Sequence, residues 1–208
     1  MKYIFIHGLG QNSSSWEKTL SFMEKDDNFE CIDLLALCNN VNITYENLYN
    51  EFSEYCNNIF EPINLCGLSL GGNLALNYVT DYPEKINSII LIGTQDKMPK
   101  LLFKVQKFIF GLMSEKLFKN NGNGFEKKHF LQIIDSMMNL DFSNKLKNIL
   151  CNTLIICGEK DIFNKKSAKK LANNIKNAKL IIIKNSGHVV NTDNPKELAL
   201  AIEGFYKK

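Results

Sequence analysis

The chain predicts an α/β fold, a mostly parallel sheet of about six strands flanked by helices on both faces. Three observations carry this. Short apolar runs fall near residues 2–7, 29–33, 62–66, 88–93, 152–157 and 179–183. Stretches of helical spacing alternate with those runs. One glycine-flanked turn, Gly67-Leu68-Ser69-Leu70-Gly71, joins an apolar run to a helix-like segment.

The first run, Tyr3-Ile4-Phe5-Ile6, passes into His7-Gly8-Leu9-Gly10-Gln11. A helix over 13–25 follows, opening on a serine cluster suited to N-capping. The segment from Thr44 to about 59 repeats Tyr45, Leu48, Tyr49, Phe52, Tyr55 and Ile59 at i, i+3, i+4, i+7 spacing, a one-sided helix. Further helices are expected over 70–80 and about 164–176, the latter carrying Ala168, Leu171, Ala172 and Ile175. The last helix starts with Asn194 as N-cap and Pro195 at its first position. Strand–helix alternation breaks once, between about 95 and 148. Leu101, Leu102, Val105, Phe108, Ile109 and Leu112 form one helical stripe there. Phe130, Leu131, Ile133, Ile134, Met137 and Met138 form a second, with the turn Asn120-Asn121-Gly122-Asn123-Gly124 between them. These stripes either pack onto the sheet or build an apolar acyl pocket. The whole of 1–208 reads as one domain with 95–148 as an insertion.

Composition narrows the function. Net charge is +3, too small to argue for nucleic acid, and the paired lysines read as solvated helix faces. All 25 basic residues are lysine, so no guanidinium fork is available to clamp a carboxylate or phosphate. The six cysteines form no C-x-x-C pair, which argues against a zinc ribbon or a thioredoxin-like motif. Cys66 and Cys157 lie in apolar runs and read as small buried side chains. The N-terminal apolar run is too short for a signal peptide, and no run reaches membrane-spanning length. A reducing cytoplasm with free thiols, and no stable membrane insertion, is the expectation. Oligomeric state is not readable.

The chemistry starts at Ser69. A serine between strand and helix, with a glycine two residues away on either side, fits the nucleophile-elbow pattern G-x-S-x-G. The turn forces the hydroxyl out, and the following helix aims its positive end at the site. A serine hydroxyl needs a base. Of three histidines, His188 lies on the loop leaving the run at 179–183, at the same sheet edge as Ser69. His129 opens a lysine-rich helix and reads as a surface residue, and His7 as a brace for its own loop. Asp161, in Gly158-Glu159-Lys160-Asp161, is the candidate acid that orients His188, with Glu159 and Asp193 as rivals. The order Ser69, Asp161, His188 fits one fold in particular. The oxyanion donors are expected at the backbone N–H of Leu70 and, from the early loop, of Leu9.

These elements in this order resemble the α/β-hydrolase superfamily, closest to its small esterase and lipase-like members. Asp81-Tyr82-Pro83-Glu84-Lys85-Ile86 before the run at 88–93, and His188-Val189-Val190 before Asp193-Asn194-Pro195, resemble its passages too. The resemblance implies no cofactor, no metal and a short helical cap at 95–148. It implies a serine hydrolase acting on a small ester or thioester with an apolar acyl part. The chain starts at the strand that carries the oxyanion loop, so the family's first two strands are expected to be missing. The early loop is His-Gly-Leu-Gly where many lipases have His-Gly-Gly-Gly. The serine argues against the branches with an aspartate nucleophile. Carbon–carbon hydrolysis, peracid formation and elimination from menaquinone precursors use the same triad in this fold, and the lack of arginine weakens the last. A catalytically silent binding module, and a lipid-surface enzyme using the cap stripes, are the other readings.

Overall fold

The computed structural model describes residues 1–25, 28–38, 42–119 and 124–207. Its sheet has strands β1 (Lys2–Ile6), β2 (Phe29–Ile32), β3 (Ile63–Leu68), β4 (Ile86–Ile92), β5 (Asn152–Gly158) and β6 (Ala178–Ile183). Their order is β2-β1-β3-β4-β5-β6, and every pairing is parallel. The helices are α1 (Glu17–Leu20), α2 (Leu34–Leu37), α3 (Tyr45–Asn57), α4 (Leu70–Asp81), α5 (Lys100–Leu112), α6 (Glu115–Lys119), α7 (Lys127–Met137), α8 (Lys165–Asn174), α9 (Val190–Asp193) and α10 (Pro195–Tyr206).

The strands form because β-branched and other apolar residues stand on both faces of a sheet buried on both sides. Register sorts them. Phe5 pairs with Cys66, Cys66 with Ile90 and Ile90 with Leu154, and this row faces one core with Trp16, Leu198 and Ile202. The next row, Ile6-Gly67-Leu91-Ile155, faces the other core, where Leu48, Phe52, Leu74 and Leu171 of α3, α4 and α8 pack. Asn194 caps α10 by accepting from the Glu197 N–H, with Pro195 in the first turn, as its sequence requires.

The chain leaves β1 to one side to make β2 and returns on the other side to make β3. That reversal opens a crevice at the carboxyl ends of β1 and β3. The turn from β3 to α4 closes there. An added Cβ on Gly67 would lie 2.3 Å from the Gly71 carbonyl oxygen, and one on Gly71 would lie 2.3 Å from the Ile6 carbonyl oxygen. Only glycine lets the three backbones approach so closely.

Three expectations change. The helix expected over 13–25 is a 3₁₀ turn, Ser13–Trp16, running into the short α1. Its serines lie inside that turn, where Ser15 Oγ bonds the Asn12 carbonyl instead of capping a longer helix. The stripe on α5 does not pack onto the sheet: Leu101, Phe108 and Leu112 are 77%, 68% and 74% exposed. The partners on α7 and α6 take up the other side of α5, through Phe110, whose ring lies 5.5 Å from that of Phe130 and 5.8 Å from that of Phe118. His129 is half-buried, with Nδ1 accepting from the Glu126 N–H in a capping box. The second stripe does bury, through Phe130, Ile133, Ile134 and Met137. The expected turn at 120–124 lies, apart from Gly124, outside the described residues.

Gly71→Ala tests the close approach. Its methyl would meet the Ile6 carbonyl, so thermal melts should show a loss of about 3 kcal/mol. A variant as stable as the parent would mean that the turn relaxes without cost.

Candidate active site

Ser69 sits between β3 and α4 with φ 53° and ψ −110°, one of two described non-glycine residues at positive φ. Such backbone is strained and persists only where the surroundings over-determine it. Here the Ser69 N–H donates to the Ile92 carbonyl at 2.8 Å, and the Ser69 carbonyl accepts from the Asn73 N–H at 2.9 Å. The strain turns the side chain toward His188, whose Nε2 lies 2.9 Å from Ser69 Oγ.

His188 Nδ1 lies 2.8 Å from Asp161 Oδ2. Asp161 is 5% exposed, at the end of β5. Burial alone would raise its pKa. The hydrogen bond and charge of His188, with bonds from Asn164, outweigh that and hold the carboxyl below the ordinary range. The arrangement is a base held between a hydroxyl and a buried carboxylate. With Nδ1–H donated to Asp161, His188 keeps Nε2 free to accept the serine proton. Gly93 makes room for the ring: it has φ 57°, and a Cβ there would lie 3.0 Å from His188.

The two rival acids have other work. Glu159 Oε2 accepts from the Asn185 N–H at 3.0 Å, and Asp193 Oδ2 from the Gly187 N–H at 2.7 Å. Asp193 thus shapes the loop that carries His188. His7 is fully buried, and burial lowers its pKa. Its Nδ1 bonds the Gly8 carbonyl at 2.9 Å, so Nε2 accepts from the Leu34 N–H at 3.1 Å. It ties the loop after β1 to α2.

That loop is held from a second side. Gln11 Oε1 accepts from the Gly8 N–H at 3.0 Å, while its Nε2 donates to Asn191 Oδ1 in α9 at 3.2 Å. The N–H groups of Leu9 and Leu70 have no hydrogen-bond partner among the described residues. Phe130 of α7 lies over the loop, against Gly10. It belongs to a cluster with Phe110, Phe118 and Phe125.

Sequence reasoning missed two residues. Asn164, at the entry to α8, gives its side-chain Nδ2 to both Asp161 oxygens at 2.8 Å, and its backbone N–H bonds Oδ1 at 3.3 Å. Gln95, after β4, donates from Nε2 to Asn164 Oδ1. An asparagine three residues after the acid has the spacing of a capping turn, a signal the chain offered. Gln95 offers none.

A model of the alpha/beta hydrolase fold matches residues 4–131. The chain belongs to the α/β-hydrolase family. Monoacylglycerol lipase ABHD6 of Homo sapiens is 23% identical over 97% of this chain and 74% of its own length. The pimeloyl-[acyl-carrier protein] methyl ester esterase of Wigglesworthia glossinidia brevipalpis is 30% identical over 70% of this chain and 57% of its own. Among solved structures, MenH from S. aureus superposes with a TM-score of 0.81 at 20% identity, over all of this chain and 93% of that one. A thermophilic esterase from Thermogutta terrifontis gives 0.78 at 18% identity, over all of this chain and 89% of that one. This α/β hydrolase has no described helix long and apolar enough to cross a membrane.

Acid pH should act through two carboxyls. Asp96 resists the raising effect of burial, because bonds from Lys170, Ser167 and Ser143 hold it below the ordinary range, as with Asp161. A depressed carboxyl stabilises the fold fully above its unfolded value, about pH 4, and the contribution fades as pH falls through the folded value. Asp96→Asn should therefore melt lower than the parent at neutral pH and lose less stability on acidification. Parallel melting curves between neutral and acid pH would exclude this.

Proposed function

We propose that this α/β hydrolase cleaves small carboxylic esters or thioesters through an acyl-enzyme on Ser69. The observation that carries the reading is the unbroken Ser69–His188–Asp161 chain of contacts at 2.9 and 2.8 Å. Ser69 Oγ attacks the acyl carbon as His188 Nε2 takes its proton. Asp161 holds the Nδ1 tautomer and balances the imidazolium that forms. The unpartnered N–H groups of Leu9 and Leu70 serve the oxyanion. The protonated His188 gives its proton to the leaving alcohol or thiol. It then draws one from water, whose oxygen attacks the acyl carbon, and returns that proton to Ser69 Oγ as the acyl–Oγ bond breaks and the acid leaves.

Residues 95–148 act as the cap. The Phe110, Phe118, Phe125 and Phe130 cluster beside the loop after β1 supports an apolar acyl part. Esterase and lipase names among the relatives point the same way. The likeness to MenH carries the fold alone, and no arginine is present for an acidic substrate.

One measurement tests this: hydrolysis of p-nitrophenyl esters of increasing acyl length. The parent should turn over, while Ser69→Ala and His188→Ala, folded, should lose about 10⁴-fold or more in kcat. Near-normal activity in His188→Ala would remove the base assignment, and in Ser69→Ala the nucleophile.

A second reading is favoured by α5. Leu101, Val105, Phe108, Ile109 and Leu112 are exposed on a helix that also carries Lys100, Lys104 and Lys107, the last paired with Asp135 of α7, and no acidic residue of its own. An apolar face bordered by lysines suits the surface of an anionic lipid aggregate. On this reading the esters are lipids, taken from such a surface. Phe108→Ser with Leu112→Ser should cut co-sedimentation with phosphatidylcholine–phosphatidylglycerol vesicles about tenfold and leave p-nitrophenyl acetate hydrolysis unchanged. Equal sedimentation of both proteins would refute it, and a dimer that the variant abolishes would assign the face to self-association.

A further inference from the structure

We propose that Gln95 and Asn164 form an oriented amide relay that positions Asp161 against His188. The proposal rests on the reading of Ser69, His188 and Asp161 as the reacting set. It assigns a role to two residues that do not touch Ser69.

The orientation of each amide follows from its neighbours. An ionised carboxylate only accepts, so Asn164 must present Nδ2 to Asp161, which it does at 2.8 Å to both oxygens. Asn164 Oδ1 is thereby turned away, and Gln95 meets it with Nε2. Gln95 Oε1 then faces Ser167 of α8, whose hydroxyl lies 2.7 Å away. The amide donors run in one direction, Gln95 N–H to Asn164 and Asn164 N–H to Asp161, while the single Ser167 hydroxyl proton is shared between Gln95 Oε1 and Asp96 Oδ1. Aligned hydrogen bonds polarise one another, and the positive end of this row meets the carboxylate.

Both ends of the relay are fixed. Asn73 Nδ2 of α4 donates to the Gln95 carbonyl at 2.8 Å, joining Gln95 to the helix that follows Ser69. At the far end Ser167 Oγ also lies 2.6 Å from Asp96 Oδ1, and Asp96 is paired with Lys170. The acid loop is thus tied to the nucleophile's helix through Gln95, independently of the bond between His188 and Ser69. Asn164 also shares Asp161 Oδ2 with His188, its Nδ2 lying 3.0 Å from His188 Nδ1. Both groups donate, so the amide limits how much of that oxygen the imidazole receives.

The charged and titratable groups around the relay are few. Asp161 and His188 face it from the loops after β5 and β6. Asp96 follows Gln95 in its own loop, Lys170 lies on α8, and the Cys157 thiol of β5 lies 3.9 Å from the Asp161 carbonyl.

Polarity separates this role from packing. Gln95→Glu keeps the shape but, once ionised, presents acceptors to Asn164. The amide must then rotate and turn Oδ1 on Asp161. Gln95→Leu removes the bond without that reversal. If Gln95 merely fills space, the isosteric Glu is the milder change. If it orients the relay, Glu is the harsher, and increasingly so as pH rises and its carboxyl ionises.

The experiment measures kcat and KM for p-nitrophenyl acetate across pH for the parent, Gln95→Leu and Gln95→Glu. Gln95→Leu should lower kcat about tenfold with KM unchanged, well short of the roughly 10⁴-fold expected on losing the acid's function. Gln95→Glu should fall further as pH rises. Glu variants matching the parent at all pH, or losses confined to KM, would overturn the proposal. Asn164→Ala supplies a readout that needs neither turnover nor position 95. It hands Asp161 Oδ2 wholly to His188, so the low-field proton resonance of His188 Nδ1–H should move downfield in spectra of the folded protein. An unmoved resonance would also overturn the relay. If the parent cleaves no ester, the esterase reading fails, and this resonance still decides the relay.

Discussion

Everything at the carboxyl edge of the sheet hangs on the backbone contact between the β3–α4 turn and β1. The Gly71 position that meets the Ile6 carbonyl is the point where strand, turn and helix are pressed together. The strained φ of Ser69 follows from that pressure, because α4 can start over the sheet only if the chain reverses within one residue. The same contact puts the start of α4 beside the loop that follows β1. One steric constraint therefore sets both where the hydroxyl points and how near the loop after β1 lies to it.

The strands were legible because a sheet covered on both faces needs continuous apolar runs, and these runs contain few residues that suit anything else. The turn at Ser69 was legible because glycine spacing there reports backbone proximity, a demand that no other residue meets. Asp161 and His188 were legible through chain order and their places after β5 and β6, and the structure sets Asp161 against His188 and His188 against Ser69.

Two kinds of feature were not legible. The α5 stripe has the spacing of a packed helix, but spacing says only that apolar residues share a side, not what that side meets. Phe110 and Phe103 turned the other face toward α7 and left Phe108 and Leu112 outside. Gln95 and Asn164 escaped for a different reason. An amide satisfies whichever partner surrounds it, so its role exists only in three dimensions. Its partners, Asp161, Ser167 and Asn73, come from separate stretches of chain.

The position of β6 bears on how the proposed site would come apart. It is the edge of the sheet, paired with β5 alone, and most of its side chains are only partly covered, Ile182 being 41% exposed. Opening free energies vary across a fold, and edge elements with few covered apolar contacts lie at the low end. His188 is carried by the loop that leaves this strand, while Ser69 is seated beside the central strands. Detachment of β6 would carry His188 away from Ser69 and leave the central strands in place. On the proposed roles, warming would then switch the chemistry off at a sheet edge before it dissolves the fold.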